Sequence, residues 1–105
     1  MRVVIADDVL LVRAGEAQLL RSVGVEVIAE CADADELLKS VARGSPDAAI
    51  IDIRMPPTHT DEGLVAAQQI RRLHPGTAVL VLSQYLEPAY ATRLLADEPE
   101  MTGYL

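Results

Sequence analysis

The sequence predicts an α/β fold, a three-layer doubly wound parallel sheet, and three observations carry that expectation. Short apolar runs rich in β-branched residues recur along the chain. Segments with helical spacing separate them, three of these closed by Gly24, Gly44 or Pro75-Gly76. Within the runs, apolar residues stand next to one another instead of alternating with polar ones, as in strands buried on both faces of a parallel sheet.

Arg2–Ala6 (RVVIA) is the first strand. Val9–Val23 follows as a helix with Val12, Leu19, Leu20 and Val23 on one stripe, and Gly24 is its C-terminal stop. Glu26–Cys31 (EVIAEC) is the second strand, and Asp33–Arg43 the second helix, opened by Asp33 with Glu36 three residues on and ended by Gly44. Ala48–Ile51 (AAII) is the third strand. Glu62–Leu73 is the third helix, carrying Leu64, Ala67, Ile70 and Arg71, and Pro75-Gly76 ends it. Ala78–Leu82 (AVLVL) is the fourth strand, and Pro88–Ala96 a fourth helix with proline in its tolerated first turn. Thr102-Gly103-Tyr104-Leu105 opens a fifth strand. Right-handed crossovers turn this alternation into a doubly wound sandwich. There is no internal repeat, linker or low-complexity tract.

A chain of 105 residues makes one domain, able to bury roughly 65% of its unfolded surface. Its core must be aliphatic, because the chain has no Phe or Trp and three Tyr. The net charge of −7 argues against gripping nucleic acid through phosphate neutralisation and favours cations or basic partner surfaces. A single cysteine, Cys31, excludes an internal disulfide and any multi-cysteine metal site, and its apolar setting predicts a reduced, buried thiol. The longest apolar run, Ala78–Leu82, is far short of the roughly 20 residues that span a bilayer. Asp7-Asp8 arrives too early for a signal-peptide core, so a soluble, cytoplasmic protein with no membrane partner is expected.

The chemistry concentrates where strands end. Ligands of such sheets bind beyond the carboxyl ends of the strands, where strand order reverses. In the order 2-1-3-4-5, strands one and three are neighbours at that point. Asp7 and Asp8 follow strand one, Asp52 follows strand three in "IIDIRMPP", and Ser83 follows strand four. Taken singly, Asp8 reads as a helix N-cap and Asp52 as a turn residue before Pro56-Pro57. Taken together, they predict three carboxylates in one crevice. Such acids repel unless a cation neutralises them, and an all-oxygen donor set suits Mg²⁺. Asp52 could then attack a phosphoryl group as a carboxylate nucleophile, with Ser83 donating a hydrogen bond to the new oxygens.

This arrangement resembles the receiver domain of two-component response regulators over the whole chain, on Asp7-Asp8, Asp52 in "DIRMPP", Ser83 in "VLVLS" and Tyr104 in "GYL". The stretches "DDVLLVRAGEAQLL" and "MPPTHTDEGL" look most like the NarL/LuxR-type subfamily. The resemblance implies a flavodoxin-like sheet and a histidine kinase that phosphorylates Asp52. It implies Mg²⁺ held by Asp8, Asp52 and the main-chain carbonyl of Arg54 with Asp7 assisting, Ser83 as switch hydroxyl, and Tyr104 as the aromatic that turns inward with it. It implies no enzyme beyond self-catalysed transfer to the chain's own aspartate. The same resemblance places a phosphate-contacting lysine two positions beyond Leu105, followed by a fifth helix. Residues 1–105 therefore read as a C-terminally truncated receiver, with strand five and helix five incomplete and a helix-turn-helix DNA-binding domain expected beyond residue 105. Without the fifth helix, apolar surface left open beside the first helix and strand five would favour a homodimer, an exchange of elements between copies, or low stability.

The only lysine, Lys39, lies on the second helix and cannot replace the absent one. Glu16 falls inside the apolar arc of helix one, as a rim residue or a polar contact. His59 and His74 sit in or beside loops without a metal role, Tyr85 and Tyr90 flank the start of helix four as packing or partner-contact residues, and the Arg54 side chain reads as solvated. A phosphatase of the haloacid-dehalogenase type would need an acid where Arg54 stands, and no Gly-rich phosphate loop is present. The remaining alternative is a receiver-like module that is not phosphorylated and serves only for docking or dimerisation.

Overall fold

The computed structural model describes residues 1–53, 55–56, 61–82 and the backbone of 102–104. The predicted fourth helix, Ser83, Tyr85, Tyr90, His59, Arg54 and the Tyr104 side chain lie outside the described residues.

Eight elements are described: β1 (Arg2–Ala6), α1 (Leu10–Ser22), β2 (Glu26–Cys31), α2 (Ala34–Gly44), β3 (Ala48–Asp52), α3 (Glu62–Leu73), β4 (Ala78–Leu82) and β5 (Thr102–Tyr104). The sheet has the order β2-β1-β3-β4-β5, and every neighbouring pair is parallel. This is the predicted doubly wound, flavodoxin-like arrangement.

Strand alternation sorts the core into two unequal layers. Val4, Ala6, Ala49, Ile51, Val79 and Val81 face α2 and α3 and pack with Leu37, Val41, Leu64, Ala67 and Ile70. Val3, Ile5 and Val27 face the other way and pack on Ala17 of α1. Burying one such aliphatic side chain is worth about 1.5–3 kcal/mol, so among the described residues the α2/α3 layer carries more of the hydrophobic stabilisation than the α1 layer.

Helix starts and stops follow local chemistry. Asp33 caps α2, its carboxylate accepting the Glu36 N–H at 2.8 Å, while the Glu36 carboxylate takes the Ala32 N–H at 3.2 Å. Gly44 is the last residue of α2, and Ser45 makes the left-handed turn after it (φ 44°). Gly24 makes the corresponding turn after α1 at φ 89°, where a side chain would be strained.

The buried face of α1 differs from the stripe expected. Ala17 is its fully buried residue, Leu20 is half-buried, and Val12, Leu19 and Val23 are exposed, the last two at 68% and 71%. At 3.6 residues per turn these three lie roughly 120–160° around the helix from Ala17. The small Ala17 side chain lets α1 settle closely on β1 and β2. Spacing alone identifies an apolar arc but not which side of it meets the sheet.

Candidate functional site

Register brings the acids together. Ala6 pairs with Ile51 across β1 and β3, so Asp7 and Asp52 are the next residues at one level of the sheet. β3 runs one residue further than the AAII segment suggests, and Asp52 is its last residue, paired with Leu82 of β4. One carboxylate oxygen from each of Asp7, Asp8 and Asp52 lies within 4.8 Å of the others. Asp7 is buried and the other two are half-buried.

The loop after β1 is fixed by its own hydrogen bonds. The Asp7 N–H donates to the Cys31 carbonyl at 2.9 Å, extending the β1–β2 ladder. The Asp7 carboxylate accepts the Val9 N–H at 2.9 Å, and its carbonyl accepts Nη1 of Arg13 at 2.8 Å. Arg13 in turn lies 3.8 Å from Glu30 of β2, whose carboxylate it shares with Arg21 at 3.6 Å. Val9, not Asp8, occupies the N-cap position of α1, so the capping reading of Asp8 does not hold.

Burial pushes the Asp7 carboxyl above its ordinary value, against the Val9 N–H, which favours the charged form. The Asp8 charge adds to the rise, and Arg13 opposes it. Glu16 is raised too, first by burial and then by the charges of Asp7 and Asp52. Half-buried on α1, it is a fourth acid within the field of the cluster. Its place inside an apolar arc was the sequence signal; its tertiary neighbours were not readable there.

Beyond Asp52, Ile53 and Met55 are fully buried and belong to the α2/α3 core layer, so both neighbours of Arg54 are anchored. The Ile53 N–H donates to the Leu82 carbonyl at 3.1 Å, and its carbonyl accepts the Gly63 N–H at 2.7 Å. Cys31 is buried and unpaired as a disulfide, 3.4 Å from the Ser40 hydroxyl, with burial raising its thiol pKa. His74 follows α3 as its C-cap, and exposed Lys39 pairs with Asp35 at 2.9 Å within α2. The three-carboxylate donor set is all oxygen and offers three negative charges, which fits a hard divalent cation such as Mg²⁺. No helix among the described residues is long and apolar enough to cross a membrane.

The family model for the response regulator receiver domain matches residues 3–105. The chain belongs to the response regulator receiver family. The oxygen regulatory protein NreC of Staphylococcus haemolyticus is 36% identical over the whole of this chain and 47% of its own length. This receiver thus spans about half the length of the curated relatives it matches. Among solved structures, the receiver domain of NarL from Mycobacterium tuberculosis superposes with a TM-score of 0.82 at 33% identity, over 99% of this chain and 81% of that one. The isolated receiver of RcsB from Salmonella enterica serovar Typhimurium gives 0.85 at 26% identity, over 100% and 75%. The receiver is therefore a two-component signalling domain of the NarL/NreC, LuxR-family type.

Proposed function

We propose that Asp52 is the phosphoacceptor, that a histidine kinase is the donor, and that the reaction requires Mg²⁺. The observation that carries this reading is the meeting of Asp7, Asp8 and Asp52 at the β1/β3 switch point of a receiver-family chain. Asp8 and Asp52, with the main-chain carbonyl of Arg54, would hold the ion, and Asp7 would assist. Bound there, Mg²⁺ would supply the positive charge that lets a phosphoryl dianion approach three acids. A carboxylate oxygen of Asp52 attacks phosphorus, and the P–O bond forms as the P–N bond to the donor imidazole breaks. The imidazole leaves with the bonding pair and takes a proton from solvent. Ser83 would donate its hydroxyl to a phosphoryl oxygen, and Tyr104 would follow it inward.

The output is proposed by family. A DNA-binding domain beyond residue 105 would read the phosphorylated state, as RcsB has been seen bound to the promoter rprA in the presence of a beryllofluoride phosphomimetic. Exposed Leu19 on α1 and Val23 at its C-cap support association into a homodimer. The test is incubation with acetyl phosphate, followed by intact-mass measurement. One phosphoryl adduct should form with Mg²⁺, and none with chelator or in Asp52→Asn. A chain that takes up no phosphoryl group under any of these conditions would instead be a docking module.

A further inference from the structure

Gly63 stands in the first turn of α3, where the opening N–H groups of a helix have no intrahelical acceptor. Its N–H finds one outside the helix, the Ile53 carbonyl at 2.7 Å. That contact brings the turn directly onto the chain that bears Asp52. A Cβ at position 63 would fall onto the Asp52 carbonyl oxygen, 2.7 Å from the carbonyl carbon and 2.8 Å from the Ile53 Cα. These obstacles are backbone atoms at and just beyond the end of β3, which no side-chain rotation can clear. Ile53 cannot withdraw, because its side chain is fully buried and its N–H is held by Leu82. Gly63 itself is buried, followed by Leu64 in the core, so the helix cannot easily retreat either. By contrast, Gly15 and Gly76 have nothing within 4 Å of where a Cβ would stand.

We propose that Gly63 is a positioning residue for Asp52: its missing side chain lets α3 seat on the Asp52–Ile53 peptide and fixes the angle at which Asp52 presents its carboxylate to the other acids. This rests on the metal-dependent phosphoacceptor reading of the same site. A Cβ at position 63 would shift the end of β3 relative to Asp7 and Asp8. The cost should therefore appear in ion affinity beyond what it does to folding.

The experiment is a Mg²⁺ titration of the ¹⁵N-labelled chain by NMR. In the wild type, the Asp52, Ile53 and Gly63 amides should shift along one binding curve. In Gly63→Ala the Mg²⁺ dissociation constant should rise about tenfold or more, the scale found when groups supporting metal ligands are changed. Val41→Ala, a cavity in the same core layer on α2, serves as the stability control and should keep the wild-type constant. A folded Gly63→Ala that binds Mg²⁺ as the wild type does overturns the proposal. If Gly63→Ala does not fold, the wild-type titration decides, and a Gly63 amide unmoved at saturation overturns it. A wild type that binds no Mg²⁺ overturns the reading of the site and this proposal with it.

Discussion

Replacing Asp8 by Asn should raise the stability of the ion-free receiver and lower that of the ion-loaded one. With carboxylate oxygens within 4.8 Å of one another, each pair of charges repels by about 3.5 kcal/mol at an effective dielectric of about 20. Asn at position 8 removes two of the three pairs. Asp8 and Asp52 are half-exposed, so solvent screens much of this, and a net gain of about 1–2 kcal/mol is the reasonable expectation. For a domain of this size that is a melting temperature higher by about 5–10 °C in chelator. With Mg²⁺ at about 100 times its dissociation constant the wild type gains about 2.7 kcal/mol by mass action, and the variant should gain little. The order of the two melting temperatures should therefore invert between chelator and saturating Mg²⁺. Differential scanning calorimetry under both conditions reads this directly. A variant that melts below the wild type in chelator, or one that gains as much from Mg²⁺, would refute the shared-charge account.

Other expectations follow from the same geometry. Glu16 has its folded pKa raised above its ordinary value of 4.5, so its ionisation is unfavourable in the fold. That penalty is present above the raised value and disappears as pH falls below 4.5. In chelator, Glu16→Gln should thus be more stable than the wild type near neutral pH, and melting curves should converge in acid; a constant difference would contradict it. Arg13→Met removes a cation that opposes the rise at Asp7, so ¹³C titration of the Asp7 carboxyl should find its pKa higher still, and an unchanged value would exclude the coupling. Met55→Ala empties a fully buried site next to Arg54 and should cost about 2–5 kcal/mol in urea unfolding; a loss below 1 kcal/mol, roughly the cost of a surface change, would show that the loop is not anchored there.

Much of this molecule was legible from its sequence. β1, β2, β4 and α3 occupy the residues that composition and spacing give them, because short apolar β-branched runs and a proline-terminated helix have strong local signatures. Asp7, Asp8 and Asp52 were legible because acids at the carboxyl ends of neighbouring parallel strands meet where the strand order reverses. What spacing did not reveal depends on close tertiary fit. The sheet meets α1 at Ala17 because that residue is small, and a pattern weighted toward Leu and Val points elsewhere. Arg13 gains its role from the carbonyl of Asp7 and from Glu30 on another strand. Gly63 looks like a weak helix residue until the Asp52 carbonyl appears where its Cβ would be.

The claim that Asp52 is the nucleophile is tested most directly by trapping. An acyl phosphate on aspartate is cleaved by borohydride to leave homoserine, so phosphorylation with acetyl phosphate and Mg²⁺, reduction and peptide mapping would name the acceptor. Homoserine at position 52 alone, absent when Mg²⁺ is chelated, is the result expected. Homoserine at position 7, 8 or 16 with Asp52 intact would contradict the account.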